Sequence, residues 1–306
     1  MSPLLLAAAL AAAMQEPTAT GETIALARSQ SGHFIIDVEI RGAGPFPFVL
    51  DTGASHTAIT QTLAEQFGFR SSRDLDEAYS LTTRFEAERF RLDEVDYGGP
   101  TPVDLTTVII PAAPEEQLAA QGLLGANAFG RQTVRLDLAA GVLELSVPPP
   151  EHRDGVVSPE WDVLFGAARM AQLRGPARVL VDTGSVRTIV NSAFERAYQP
   201  FGLQRRVVAG VEGRIGEDVR FVDLSRFRVG GMCRSRLSVL VADLDIFETF
   251  GWNETPAMVV GLDFLEGTEI TVDYGAGVFS VDPVGRSQCG AERAQLDPGN
   301  EGGRGR

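Results

Sequence analysis

Two carboxylates in this chain stand in the same short phrase. Asp51 and Asp182 each open an Asp-Thr-Gly triplet behind an apolar run, and Phe48-Val-Leu-Asp-Thr-Gly-Ala-Ser-His-Thr57 aligns without gaps on Val179-Leu-Val-Asp-Thr-Gly-Ser-Val-Arg-Thr188. One such triplet is an ordinary turn, with Asp ending a strand and Gly supplying backbone freedom. Two copies at matching places in a repeat call for another explanation. If the halves pack about a local two-fold axis, the carboxyls meet at the interface, where both cannot readily ionise and one proton is shared. The ionised member then serves as general base on a water held between them, and the protonated member polarises a carbonyl. Gly53 and Gly184, lacking Cβ, let the backbones approach closely.

The elements that must position these groups repeat as well. Each Asp-Thr-Gly follows a strand-like apolar triplet, and each is followed by a short helix-like stretch, with Thr60 and Asn191 as expected N-caps and Gly68 and Gly202 as expected C′ residues. A second pair of blocks, Gly125 to Leu145 and Gly261 to Val281, also aligns without gaps. Within them Val134-Arg-Leu136-Asp and Ile270-Thr-Val272-Asp alternate with the period of half-buried strands. The reading is all-β: two homologous lobes at 23–148 and 160–284, joined by a Pro-rich linker at 149–159 and trailed by a polar tail at 291–306. Strands are expected over Thr23 to Arg28 and His33 to Arg41 in the first lobe, and over Trp161 to Phe165 and Arg169 to Leu173 in the second.

With these motifs the chain resembles the aspartic proteases, the group of the pepsins and retropepsins. Asp51-Thr52-Gly53-Ala54, Asp182-Thr183-Gly184-Ser185, Leu123-Leu124-Gly125 and Val259-Val260-Gly261 carry the resemblance, which spans Thr23 to Val284. It implies two compact retropepsin-like or pepsin-like β-barrel lobes with a cleft between them. It also implies Asp51 and Asp182 as the catalytic pair of an endopeptidase, Thr52 and Thr183 as hydroxyls bonded across the lobe interface, and no cofactor or metal. The expected partner is an extended peptide or unfolded protein, bound by a monomer. The other reading is a catalytically idle peptide-binding or scaffolding relative of the same fold. Position +3 after the Asp is Ala54 in one lobe and Ser185 in the other. A Ser185 hydroxyl donating to its carboxylate would make Asp182 the more readily ionised member, and the small number of donors would move the activity optimum towards weaker acid. A flap hairpin with a Gly-rich tip is expected at Val207 to Leu224, and its first-lobe counterpart around Tyr79 to Phe85.

Composition narrows the alternatives. The chain has 306 residues, 44% hydrophobic and 22% charged, enough to bury a core. Its net charge of −14 opposes nucleic-acid binding. All 27 basic residues are Arg, which removes Schiff-base lysine chemistry and a P-loop. Three scattered histidines (His33, His56 and His152) and two cysteines do not make a zinc site. The apolar run Leu4 to Ala13 is too short to span a bilayer and reads, with Ala11-x-Ala13, as a signal peptide over 1–13, so the protein is expected to be exported, periplasmic or secreted. In that compartment Cys233 and Cys289 are candidates for a disulfide.

Overall fold

The structure is a computed structural model; it describes residues 21–69, 75–79, 84–110, 120–198, 204–205, 220–286 and 289. Of the sequence expectations, the signal segment, the tail, the C′ role of Gly202, the flap tip and the residues between Tyr79 and Arg84 lie outside these.

Each lobe is built around a closed barrel of six strands. In the first, Phe34–Ile40, Ala43–Leu50, Gly122–Leu124, Thr57–Thr60, Val103–Ile110 and Arg84–Asp96 follow one another around the barrel, and Arg84–Asp96 returns to pair with Phe34–Ile40. The second repeats the order with Leu164–Arg169, Ala177–Val181, Ala257–Val260, Ile189–Val190, Met232–Val241 and Arg220–Val229, closed by Ala168 opposite Val229. In both, the strand that enters Asp-Thr-Gly runs parallel to the apolar strand that ends in Gly125 or Gly261. Such parallel neighbours are buried on both faces. This is why Phe48-Val-Leu50 and Val179-Leu-Val181 are continuous apolar runs rather than alternating ones; all six side chains are buried.

A sheet between the lobes ties the barrels together. Thr23–Ala25, Val142–Leu145 and Thr133–Asp137 from the first lobe continue into Thr268–Asp273, Val278–Pro283 and Gly155–Val157. At its centre Thr133–Asp137 lies antiparallel to Thr268–Asp273, with Arg135 opposite Thr271, so the two alternating blocks face each other across the pseudo-two-fold axis. Val134, Leu136, Ile270 and Val272 point into the core.

The expected caps are present. Thr60 Oγ1 accepts from Leu63 N (3.3 Å) at the start of helix Gln61–Gln66, and Asn191 Oδ1 accepts from Phe194 N (2.8 Å) at helix Ser192–Tyr198. Gly68 follows the first helix with φ 70°. One expectation is corrected. The two strands expected at Trp161 to Phe165 and Arg169 to Leu173 are one strand, Leu164–Arg169, and a turn follows it. The strand runs through Gly166-Ala-Ala168 because these residues pair with Ala177–Val181, Gly166 opposite Val179 and Ala168 opposite Ala177. Cys233 and Cys289 are joined by a disulfide with Cα atoms 5.7 Å apart. No helix among the described residues is long and apolar enough to cross a membrane.

Candidate active site

The two Asp-Thr-Gly loops meet where the lobes touch. Each Asp is still held by the sheet behind it: Asp51 N donates to Leu124 O (3.1 Å) and Asp182 N to Val260 O (3.0 Å). The strand pairing therefore sets the height of each carboxyl. Their lateral position is set by the threonines. Thr52 Oγ1 donates to Val181 O (2.9 Å) and accepts from Thr183 N (3.1 Å). Thr183 Oγ1 reciprocates, donating to Leu50 O (2.7 Å) and accepting from Thr52 N (3.1 Å). Both side chains are buried, so water cannot replace these four bonds without opening the interface.

The glycines explain themselves in the same frame. A Cβ on Gly53 would stand 2.6 Å from Asp182 Cγ, and one on Gly184 would overlap the Asp51 carboxyl. Each carboxyl thus lies against the bare backbone of the opposite loop, within hydrogen-bond reach of the other carboxyl. Gly53 N donates to Asp51 Oδ1 and Gly184 N to Asp182 Oδ1, both at 2.8 Å.

Beneath the loops the two apolar-apolar-Gly segments close the floor. A Cβ on Gly125 would strike the backbone of Ala54 and His56, and one on Gly261 that of Ser185 and Arg187. Two residues further on, Asn127 Oδ1 accepts from both N and Oγ1 of Thr57 (2.8 and 2.9 Å), and Asp263 Oδ1 does the same for Thr188 (2.9 and 2.6 Å). These brackets were missed by sequence reasoning, although both residues stand at the same place in the aligned blocks.

Burial pushes both carboxyls above their ordinary range, since desolvation disfavours charge. Asp182, 2% exposed, is raised the more strongly: after burial, the charge of Asp51 is the next cause. Asp51 remains partly open to solvent, and its rise is opposed by the bond from Asp182, the N–H of Gly53 and the neighbouring His33. The pair therefore shares one proton.

The contact expected of the Ser185 hydroxyl is not made. That hydroxyl donates to Arg187 O (2.8 Å), not to Asp182. What position +3 offers the carboxylate is its backbone N–H, and Ala54 and Ser185 both have one. A further residue the sequence did not single out is His33, buried beside the dyad, with Nε2 3.1 Å from Gly184 O in the other lobe. No group of three or more His, Cys, Asp or Glu side chains able to hold a metal ion occurs among the described residues.

Residues 36–128 match a family model described as aspartyl protease. That span covers most of the first barrel, from within the strand Phe34–Ile40 to the floor at Asn127; the second barrel repeats it in strand order. No curated protein matches the chain.

Proposed function

From the premise that residues 36–128 form an aspartyl protease domain, with a second lobe of the same strand order supplying the matching Asp-Thr-Gly loop, we propose that the protein is an endopeptidase. A water held between Asp51 and Asp182 is the nucleophile. Ionised Asp51 takes a proton from it as the water attacks the scissile carbonyl carbon, while protonated Asp182 hydrogen-bonds the carbonyl oxygen and stabilises the charge that develops there. The tetrahedral intermediate collapses when Asp51 passes the proton it took from water to the nitrogen, which breaks the C–N bond and returns the pair to its one-proton state. No cofactor is required by this cycle.

The observation that supports this best is the reciprocal fit of the two loops. Four buried hydrogen bonds and two glycines without room for a Cβ are what forcing two carboxyls together requires, and a peptide-binding scaffold has no use for them. The substrate class we propose is the one the aspartic-protease resemblance implies: extended peptide or unfolded chain, bound by main-chain hydrogen bonds with side-chain pockets setting preference. We also propose that the protein acts outside the cytoplasm, on the strength of the apolar N-terminal run and the Cys233–Cys289 bridge.

The test is cleavage of a denatured protein mixture, read by mass spectrometry from weakly acidic to neutral pH, by the wild type and by Asp51→Asn. New termini with the wild type alone support the mechanism. Equal cleavage by both removes the pair from it, and no cleavage by either favours a scaffold.

A further inference from the structure

The two halves of the site are not chemically equal. Immediately before the strand Phe34–Ile40 stands His33; immediately before its counterpart Leu164–Arg169 stands Val163. His33 is 8% exposed and reaches across the lobe interface. Its Nε2 lies 3.1 Å from Gly184 O, and the Gly184 backbone is the surface against which the Asp51 carboxyl rests. We propose that His33 is a positioning residue that makes the carboxyls unequal, holding Asp51 as the ionised base and leaving the shared proton on Asp182. This rests on the peptidase reading of the same site.

The hydrogen bonds determine how the ring works. A carbonyl oxygen only accepts, so Nε2 carries hydrogen whether the ring is neutral or cationic. The Nδ1 atom is 2.9 Å from Ser31 Oγ, which is itself 2.8 Å from Ser29 Oγ; Ser31 is exposed and Ser29 half-buried. When neutral, the ring accepts at Nδ1 from Ser31. When it gains a proton, Nδ1 donates to Ser31, whose hydroxyl turns to Ser29 or water. The tie to Gly184 survives either way. Positive charge can thus be added beside Asp51 from the solvent side without rearranging the catalytic loop.

Two charged groups act on the ring among the described residues. Asp51 favours its cationic form, and Arg28 opposes it; burial is the larger effect and lowers the His33 pKa. The Arg28 guanidinium is held by Nη1 donating to Gly32 O (2.6 Å) and by stacking over Phe34, 3.8 Å from the ring centroid. Since attraction between His33 and Asp51 is mutual, a ring that gains charge in mild acid holds Asp51 ionised to lower pH than an isolated pair would allow.

Two measurements test this. The first is NMR titration of the His33 imidazole in the wild type, Asp51→Asn and Asp182→Asn, which needs no activity. The midpoint is expected to fall by about half a pH unit or more in Asp51→Asn and not in Asp182→Asn. An unchanged midpoint in Asp51→Asn, or the same fall in both variants, overturns the proposal. The second is the pH profile of kcat/KM for His33→Gln, which keeps a donor for Gly184 O without a titratable charge. Its acidic limb is expected about half to one pH unit above that of the wild type. A superimposable limb overturns the proposal. A wild type that cleaves nothing defeats the peptidase reading instead, and the NMR result then still decides whether His33 is coupled to Asp51 alone.

Discussion

Replacing Thr183 by valine is the sharpest test of what holds the carboxyls together. Valine has nearly the shape of threonine but neither donates nor accepts. Thr183 is fully buried, and the change leaves Leu50 O and Thr52 N, both in the other lobe, without the partners they have at 2.7 and 3.1 Å. An unpaired buried backbone group costs about 1–3 kcal/mol. Two such groups give about 2–6 kcal/mol, and partial relaxation of the loops should bring the observed value to about 3 kcal/mol. Thr183→Ser separates the hydroxyl from the packing: it keeps both hydrogen bonds and loses one buried methyl, for about 1 kcal/mol.

The assay is urea denaturation followed by far-UV circular dichroism, alongside kcat on a peptide substrate. By the symmetry of the loops, Thr52→Val should behave likewise, because it orphans Val181 O and Thr183 N. The two hydroxyls share no hydrogen bond, yet they guard one interface. Once either is gone water can reach the other, so the double variant should lose less than the sum of the singles, by about 1 kcal/mol. The reasoning is refuted if Thr183→Val is no less stable than Thr183→Ser, since the hydroxyl would then contribute nothing that water does not supply.

Other consequences follow from the same geometry. Gly184→Ala places a methyl into the space of the Asp51 carboxyl, and Gly53→Ala does the same to Asp182; a displacement near 1 Å should lower kcat by about 100-fold in either, measured on a peptide substrate. Asp51 and Asp182 hold their proton to higher pH in the folded chain than the ordinary value of 3.8. The stability they contribute is therefore complete below about that pH and is lost as pH rises through the raised folded values. Asp182→Asn should accordingly melt a few degrees above the wild type at neutral pH, with the difference shrinking in acid, as thermal scans across pH would show. Closing the chain between Cys233 and Cys289, 56 positions apart, stabilises by about 4 kcal/mol in the chain-entropy view, so Cys289→Ser should lower the denaturation midpoint accordingly. Both tryptophans, Trp161 and Trp252, belong to the second lobe, so their fluorescence will report that loss where it arises.

The parts of this structure that were legible in the sequence are those the repeat states twice. Asp-Thr-Gly behind an apolar triplet, the glycines at 125 and 261, the alternating blocks that meet between the lobes and the caps at Thr60 and Asn191 all carry the same physical demand in each lobe. Asn127 and Asp263 were visible in the alignment but not interpretable: a polar side chain after a glycine looks like any turn until Thr57 and Thr188 are seen to point at it. Ser185 misled because a sequence shows that a hydroxyl exists and not which way it turns. His33 had no signal at all, since its counterpart is Val163 and its partner lies 151 positions away.

These successes and failures divide along one line. Residues whose fit is reciprocal have to match: Thr52 and Thr183 grip each other's backbones, and Gly53 and Gly184 each make room for the other's carboxyl, so a change on one side spoils both. Residues that serve one side only are free to differ, as Ala54 and Ser185, Asn127 and Asp263, and His33 and Val163 do. A pair of carboxyls that carries one proton needs one base and one acid at the same moment. Two identical chains around an exact axis can offer no standing preference between them. Two lobes in one chain can, and the differences lie within reach of the dyad: a histidine beside Asp51 and an aliphatic side chain in the matching place of the second lobe. Joining the lobes therefore permits a standing division of labour between Asp51 and Asp182, and the direction of that division depends on a residue outside both Asp-Thr-Gly triplets.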